Sequence, residues 1–175
     1  MLLPVEALDG SIGHGKLVAI FSYAIASCLG LADSEKADIL TAGYAADIGK
    51  EIVPHHLLTR SGTLTSRELE TLQTHPAEGA NALRKMGWDN ENILQIVRHS
   101  HEHYNGSGQP DGLKGNAIPL GSRVIAVADT YAAMISWRPY RDPWDRSVAL
   151  DEIVRGSDAG IYDPAIVEAL IKVLS

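Results

Sequence analysis

The chain has a single cysteine, Cys28, so no internal disulfide can staple its fold. Set among Ala26, Ser27 and Leu29, Cys28 reads as a buried small hydrophobe, and so cysteine-poor a chain is expected in the cytoplasm. Basic residues are in the minority too: 15 Lys and Arg stand against 22 Asp and Glu, for a net charge of -7. That balance argues against non-specific binding to nucleic acid or to an anionic membrane, although a local basic cluster can still hold a phosphate. A membrane span needs ~20 apolar residues. The run at 17–32 (LVAIFSYAIASCLGLA) falls short of that and is interrupted by Ser22, Tyr23, Ser27 and Gly30. Glu6, Asp9, His14 and Lys16 before it make a poor positive opening for a signal peptide, so a core helix is expected there and no membrane span. Internal repeats and low-complexity tracts are missing as well. What is there is an ordinary globule of 175 residues, 45% hydrophobic and 21% charged, enough for one domain spanning 1–175 with its own core.

Capping signals and apolar spacing predict helices joined by short loops. The first covers about 12–29 and is closed by Gly30, with His14 in its opening turn. Ser34 is the expected N-cap of the next, with Glu35 and Asp38 near its positive end, and 47–50 terminates it. Residues 54–62 read as a connector that exposes His55 and His56. Thr65 and Glu68 form a capping box, with Leu64 and Leu69 as its hydrophobic staple. That helix reaches His75, and Pro76 opens another whose apolar face carries Ala80, Leu83 and Met86. Asp89 or Asn90 caps a helix over 93–101. Residues 122–135 are ambiguous: Arg123, Val124, Ile125 and Val127 favour a strand, while length and an alanine-rich second half favour a helix. Helices over about 147–155 and 164–174 end the chain, the last begun by Asp163 and Pro164. With no hairpin or parallel-sheet pattern, the expected fold is all-α, a compact helical bundle. Its predicted core includes Ile20, Ala24, Ile39, Leu72, Leu94, Val97 and Val127.

The densest chemistry lies at 98–121, RHSHEHYNGSGQPDGLKGNAIPLG. His99, His101, His103 and Glu102 follow an apolar run, which suggests ligands delivered by a helix end. Gly106, Gly108, Gly112 and Gly115 then suggest a backbone that turns tightly or lies close to something bound. The pattern HxHExxNGxGxPxGLxG, followed by IPL and RVIAVAD, closely resembles the HD-GYP family, metal-dependent phosphodiesterases that cleave cyclic di-GMP. The resemblance runs from His14 to Tyr162. It implies an HD-domain helical bundle and a divalent metal site suited to iron, manganese, nickel or zinc.

Position by position, the resemblance implies His14, Asp47, His75, His101 and Asp129 as metal ligands. Asp47 would bridge two metals and Lys50 would follow it as the family's lysine. Arg138 and Arg141 would contact substrate phosphates, with Lys114 and Gln109 on the glycine loop beside the substrate. Departures are equally specific. Where the family has the histidine of its HD pair, this chain has Ala46; Ser100 replaces the first of two adjacent histidines, and Gln109 replaces the tyrosine of GYP. One metal would keep His14, Asp47 and Asp129, the other Asp47, His75 and His101. Reduced occupancy or a single metal is the expectation, since an alanine cannot coordinate and serine is a poor neutral ligand.

Three functions compete on this reading. The first is a degenerate HD-GYP domain of bacterial cyclic di-GMP signalling, which binds a cyclic dinucleotide or a signalling protein such as a GGDEF domain. The second is an active cyclic di-GMP phosphodiesterase, and the third an HD-superfamily phosphohydrolase with another nucleotide substrate. The chain is also expected to be combinable with sensor or receiver domains as part of a longer protein. Taken alone, His99 and His103 read as solvated side chains and Glu102 as a structural acceptor. Asp129, in an apolar helix, calls for a partner, because an unpaired buried carboxylate is unfavourable.

Overall fold

A computed structural model describes residues 13–59, 62–63, 65–137 and 141–175. The described residues are helical, with no strand among them. Helix α1 is His14–Cys28 and α2 is Asp33–Ala45, followed by a 3-10 turn over Ile48–Ile52. Then come the single turn α3 (His55–Leu58), α4 (Ser66–Gln73), α5 (His75–Lys85) and α6 (Glu91–Arg98). The glycine loop carries one short 3-10 turn, Gly115–Ala117, before α7 (Leu120–Ile135), α8 (Arg146–Asp158) and α9 (Pro164–Leu174).

Helix α7 is the axis of the bundle. Val124, Ile125, Val127, Ala128, Tyr131 and Ala132 are almost wholly buried along it, and α1, α2, α6, α8 and α9 pack around it. This settles the ambiguous stretch. A helix buried on nearly all sides tolerates β-branched residues, because packing rather than intrinsic propensity decides its state. Helix α1 lies against α2 and α7. Gly43 permits the close approach of α1 and α2, since a Cβ there would stand 3.3 Å from the Ala19 Cα.

Local signals were honoured where a side chain could reach an orphan amide. The Thr65 N–H donates to Glu68 Oε2 at 2.8 Å, closing the capping box of α4; Leu64, the other half of its staple, lies outside the described residues. Asn90 and Asp163 accept from Ile93 and Ala165 to cap α6 and α9. Ser34 is not a cap. Glu35 reaches back to the Ala32 N–H at 3.0 Å, so α2 begins at Asp33 and Ser34 falls within its first turn. Helix α6 ends at Arg98 instead of running on to 101, and His99–His101 lie in the turn beyond it. The 54–62 connector contains the one-turn α3, with His55 and His56 exposed on it as expected.

Of the predicted core, Ile39, Leu94, Val97 and Val127 are buried, and Ala24 and Leu72 are half-buried. Ile20 is a correction: it is 59% exposed. The apolar residues of α1 run almost all the way round it, so its periodicity does not reveal that Val18, Ser22 and Ile25 face inward and Ile20 and Tyr23 outward. Cys28 is exposed rather than buried, because the last residue of α1 projects beyond the packed part of the helix.

Candidate metal centre

Five side chains from distant parts of the chain meet at one end of this bundle. His14 opens α1, Asp47 sits between α2 and the following 3-10 turn, and His75 is the first residue of α5. His101 comes from the turn after α6, and Asp129 projects from α7. They form two groups, Asp47–His75–His101 and His14–Asp47–Asp129, and in each one donor atom per residue lies within 4.8 Å of the others. Asp47 belongs to both. The five residues expected as metal ligands are therefore brought together, and Asp47 is common to both groups.

Polar contacts tie the groups. His14 Nε2 is 2.8 Å from Asp129 Oδ1 and 3.9 Å from Asp47 Oδ2. Lys50 donates from Nζ to Asp47 Oδ2 at 2.7 Å. The rings of His75 and His101 meet edge to face with centroids 4.6 Å apart. His75 Nδ1 lies 2.8 Å from the Leu72 carbonyl, which can only accept, so Nδ1 carries the proton and Nε2 the lone pair. That Nε2 is buried, has no hydrogen-bond partner and stands 3.6 Å from Asp47 Oδ1.

The electrostatics keep His75, Asp47 and Asp129 deprotonated. Burial, then the nearby His101, pushes the His75 imidazole down to about 4. Burial acts to raise the Asp47 carboxyl, but Lys50, His14 and His75 outweigh it and hold it below the ordinary carboxylate range. Asp129 is likewise opposed by burial and is held far down by its hydrogen bond with His14. An orphaned imidazole lone pair, two carboxylates that stay ionised and a shared central aspartate fit a divalent metal pair. His14, Asp47 and Asp129 would hold one such ion, and Asp47, His75 and His101 the other.

Both substituted positions lie beside these groups and are closed. Ala46 is 4% exposed and belongs to the hydrophobic core. Ser100 is buried, and its hydroxyl donates to the Val97 carbonyl at 2.9 Å, back into its own helix end.

The glycine loop is fastened under His101. Glu102 is 2% exposed and accepts from the Asp111 and Leu113 amides at 2.7 and 3.1 Å, the structural acceptor role expected of it. His99 is a correction: it is buried, with Nδ1 2.9 Å from the Gln95 carbonyl and Nε2 2.9 Å from Asp111. Arg98 grips the same Asp111 through two hydrogen bonds of 2.8 and 2.9 Å. A cavity of about 250 Å³ opens beside His75 and His101, walled by Leu69, Leu72 and Gln73 of α4 and by His103, Ser107, Gly108 and Gln109 of the loop. Gln109 thus sits at the site. Lys114 is exposed, its stem over Gly106. Arg141 donates to the Ala133 and Met134 carbonyls and lies over the Trp144 ring, so its guanidinium is engaged at the end of α7; Arg138 lies outside the described residues. The sequence reading gave Leu69 to a staple and Leu72 to the core, and connected neither of them nor Gln73 with the site. Their signal was present: Leu69, Leu72 and Gln73 share one edge of a short amphipathic helix that runs directly into His75.

The family model described as HD domain matches residues 7–166. The chain belongs to the HD domain family. Among relatives, the cyclic di-GMP phosphodiesterase response regulator RpfG of Xanthomonas campestris pv. campestris (strain 8004) is 39% identical over 152 residues, covering 85% of this chain and 39% of that protein. The 3'3'-cGAMP-specific phosphodiesterase 2 of Vibrio cholerae serotype O1 is 31% identical over 173 residues, 96% of this HD domain chain and 32% of that protein. The chain therefore spans well under half the length of these relatives. Among solved structures, Bd1817, an HDG"Y"P protein from Bdellovibrio bacteriovorus, matches with a TM-score of 0.74 at 21% identity, covering 92% of this chain and 51% of that one. The match establishes the helical fold of the HD domain, and together these findings carry the HD-GYP resemblance over nearly the whole chain.

Proposed function

We propose that this HD domain binds a cyclic dinucleotide at a metal centre weakened in both halves, and that it serves signalling by binding more than by hydrolysis. The observation behind the proposal is the pair of donor groups sharing Asp47, each next to a closed position, Ala46 or Ser100, where a further imidazole is missing. Divalent metals held there would supply hydroxide and offset phosphate charge. The chain's own contributions are Asp47, which joins the two groups, Lys50, which holds Asp47 ionised and adds a cation beside it, and His75, which presents a neutral ring nitrogen. Removing a group that merely orients a metal ligand lowers affinity about 10–100-fold, and a missing ligand weakens it at least as much. The relatives are named as phosphodiesterases of cyclic di-GMP and 3'3'-cGAMP, which supports a cyclic dinucleotide as this domain's ligand.

One observation favours a second reading, an active phosphodiesterase. Each group retains three protein donors, the number with which many enzymes hold a catalytic metal. Metal analysis of the purified chain, with cyclic di-GMP hydrolysis assayed in added manganese or iron, separates the two. Substoichiometric metal with slow or no turnover supports the weakened centre. Two tightly held metals with robust, chelator-sensitive turnover establish the enzyme.

A further inference from the structure

We infer that the cavity beside His75 and His101 is a slot for a purine base, read at its edge by the carboxamides of Gln109 and Gln73. The inference rests on the cyclic dinucleotide reading and adds which part of such a ligand goes where.

The walls decide the chemistry. Leu69 and Leu72 give an apolar face on the α4 side, and the imidazoles of His75 and His101 line the side toward the metal centre. Among the described residues, no lysine, arginine, aspartate or glutamate lines the cavity. These walls offer a phosphate no lysine or arginine, and an ammonium group no carboxylate. A flat heterocycle with apolar faces and a polar edge suits it, and at about 250 Å³ it is too small for a whole dinucleotide. It adjoins the group Asp47–His75–His101, so a phosphodiester at that group would lead its attached nucleoside into the cavity.

The polar edge is nearly committed to one pair of readers. His103 Nδ1 and Ser107 Oγ satisfy each other at 2.9 Å. The side-chain amides of Gln73 and Gln109 have no hydrogen-bond partner among the described residues. Gln109 is also held firmly: its N–H donates to the His101 carbonyl at 3.1 Å, and Gly108 presses against the backbone of Glu102 and His103. The backbone that carries this reader is therefore placed before a ligand arrives, while its exposed carboxamide remains free to turn toward one. A carboxamide offers one donor and one acceptor side by side. That matches the adenine edge where an amino group adjoins a ring nitrogen, and equally the guanine edge where O6 adjoins N1–H, whereas the N7/O6 edge of guanine shows two acceptors and is read by arginine or lysine.

The test uses the purified chain with cyclic di-AMP and cyclic di-GMP in calorimetry, beside adenosine and ribose in NMR titrations that follow the methyl signals of Leu69 and Leu72. Both cyclic dinucleotides are expected to bind. Gln109→Arg should move the ratio toward cyclic di-GMP by about tenfold, the discrimination one good bidentate pair supplies. Gln73→Ala should weaken both. Adenosine should shift the leucine methyls, and ribose should leave them still. Unchanged affinities and ratio in both variants, or methyls indifferent to adenosine, overturn the slot. Adenosine shifting the methyls while neither cyclic dinucleotide binds sustains the slot and removes the function proposed above.

Discussion

His75 Nε2 stands 3.6 Å from Asp47 Oδ1, buried and without a hydrogen-bond partner, because the Leu72 carbonyl holds the ring by its other nitrogen. Asp47 favours a proton on that ring, yet burial and His101 prevail and the ring stays neutral down to about pH 4. The consequence for metal-free protein has a definite sign. In the unfolded chain the imidazole takes up its proton near pH 6.5, whereas in the fold it resists until about 4. Its contribution to stability is therefore complete above pH 6.5 and is lost as pH falls toward 4. The expected loss is roughly 3 kcal/mol. Urea unfolding at a series of pH values should show it, and His75→Gln should flatten the profile in that window. Asp47 and Asp129, held low in the fold, add an acid loss of the same sign below the ordinary carboxylate values.

Restoring the missing imidazoles should trade stability for metal. Ala46→His must fit a ring into a packed core, an insertion that costs about 1–3 kcal/mol. Ser100→His gives up the bond to the Val97 carbonyl. Each change should raise bound metal per chain, and the pair should do so non-additively, since both neighbouring groups use Asp47. Metal analysis on the single and double variants, alongside their urea midpoints, checks both halves. Equal metal content in all of them would sink the weakened-centre account.

The fold was legible wherever the signal was local. Thr65 with Glu68, Asn90 and Asp163 each announce a helix start, because the side chain that caps lies within three residues of the amide it satisfies. Helix faces were less legible. Along α1 nearly every position is apolar, so nothing marks Ile20 as the side that α2 and α7 leave uncovered. The ligand set was legible only through resemblance, since His14 and Asp129 are 115 positions apart and nothing local pairs them. The clamp on Asp111 escaped for a related reason. It joins Arg98 and His99 to a residue on the far side of the glycine loop, and a histidine four residues from another reads as a solvated helix face unless the helix is known to end at Arg98.

Gly49 controls how closely the turn after Asp47 packs on α5. A Cβ there would lie 1.9 Å from the His75 carbonyl and 2.6 Å from the Gly79 amide, both backbone atoms that cannot swing aside. Gly49→Ala should therefore displace His75 from Asp47 as well as lower stability, by at least the 1–3 kcal/mol typical of overpacking. Metal affinity is the telling measurement. A destabilised variant that binds metal like the wild type would mean the turn yields without moving His75.

The loop clamp makes a different demand, since it acts on the wall of the cavity and not on the donors. Glu102 receives the Asp111 and Leu113 amides on its two carboxylate oxygens, while Arg98 and His99 hold the Asp111 side chain from the helix end. Glu102→Gln keeps the size but turns one acceptor into a donor facing a backbone N–H. Losing a charged acceptor from a buried amide costs about 1.5–3 kcal/mol, and the loss should fall within the loop. Hydrogen exchange should quicken at Asp111 and Leu113 first. Asp111→Asn should loosen the Arg98 and His99 grip while leaving both Glu102 bonds in place, so its exchange at those amides should change far less. If the two variants opened the same amides equally, the side-chain and main-chain halves of the clamp would be one unit. Exchange confined to Glu102→Gln would show instead that the buried carboxylate alone fixes the 111–113 stretch of the loop.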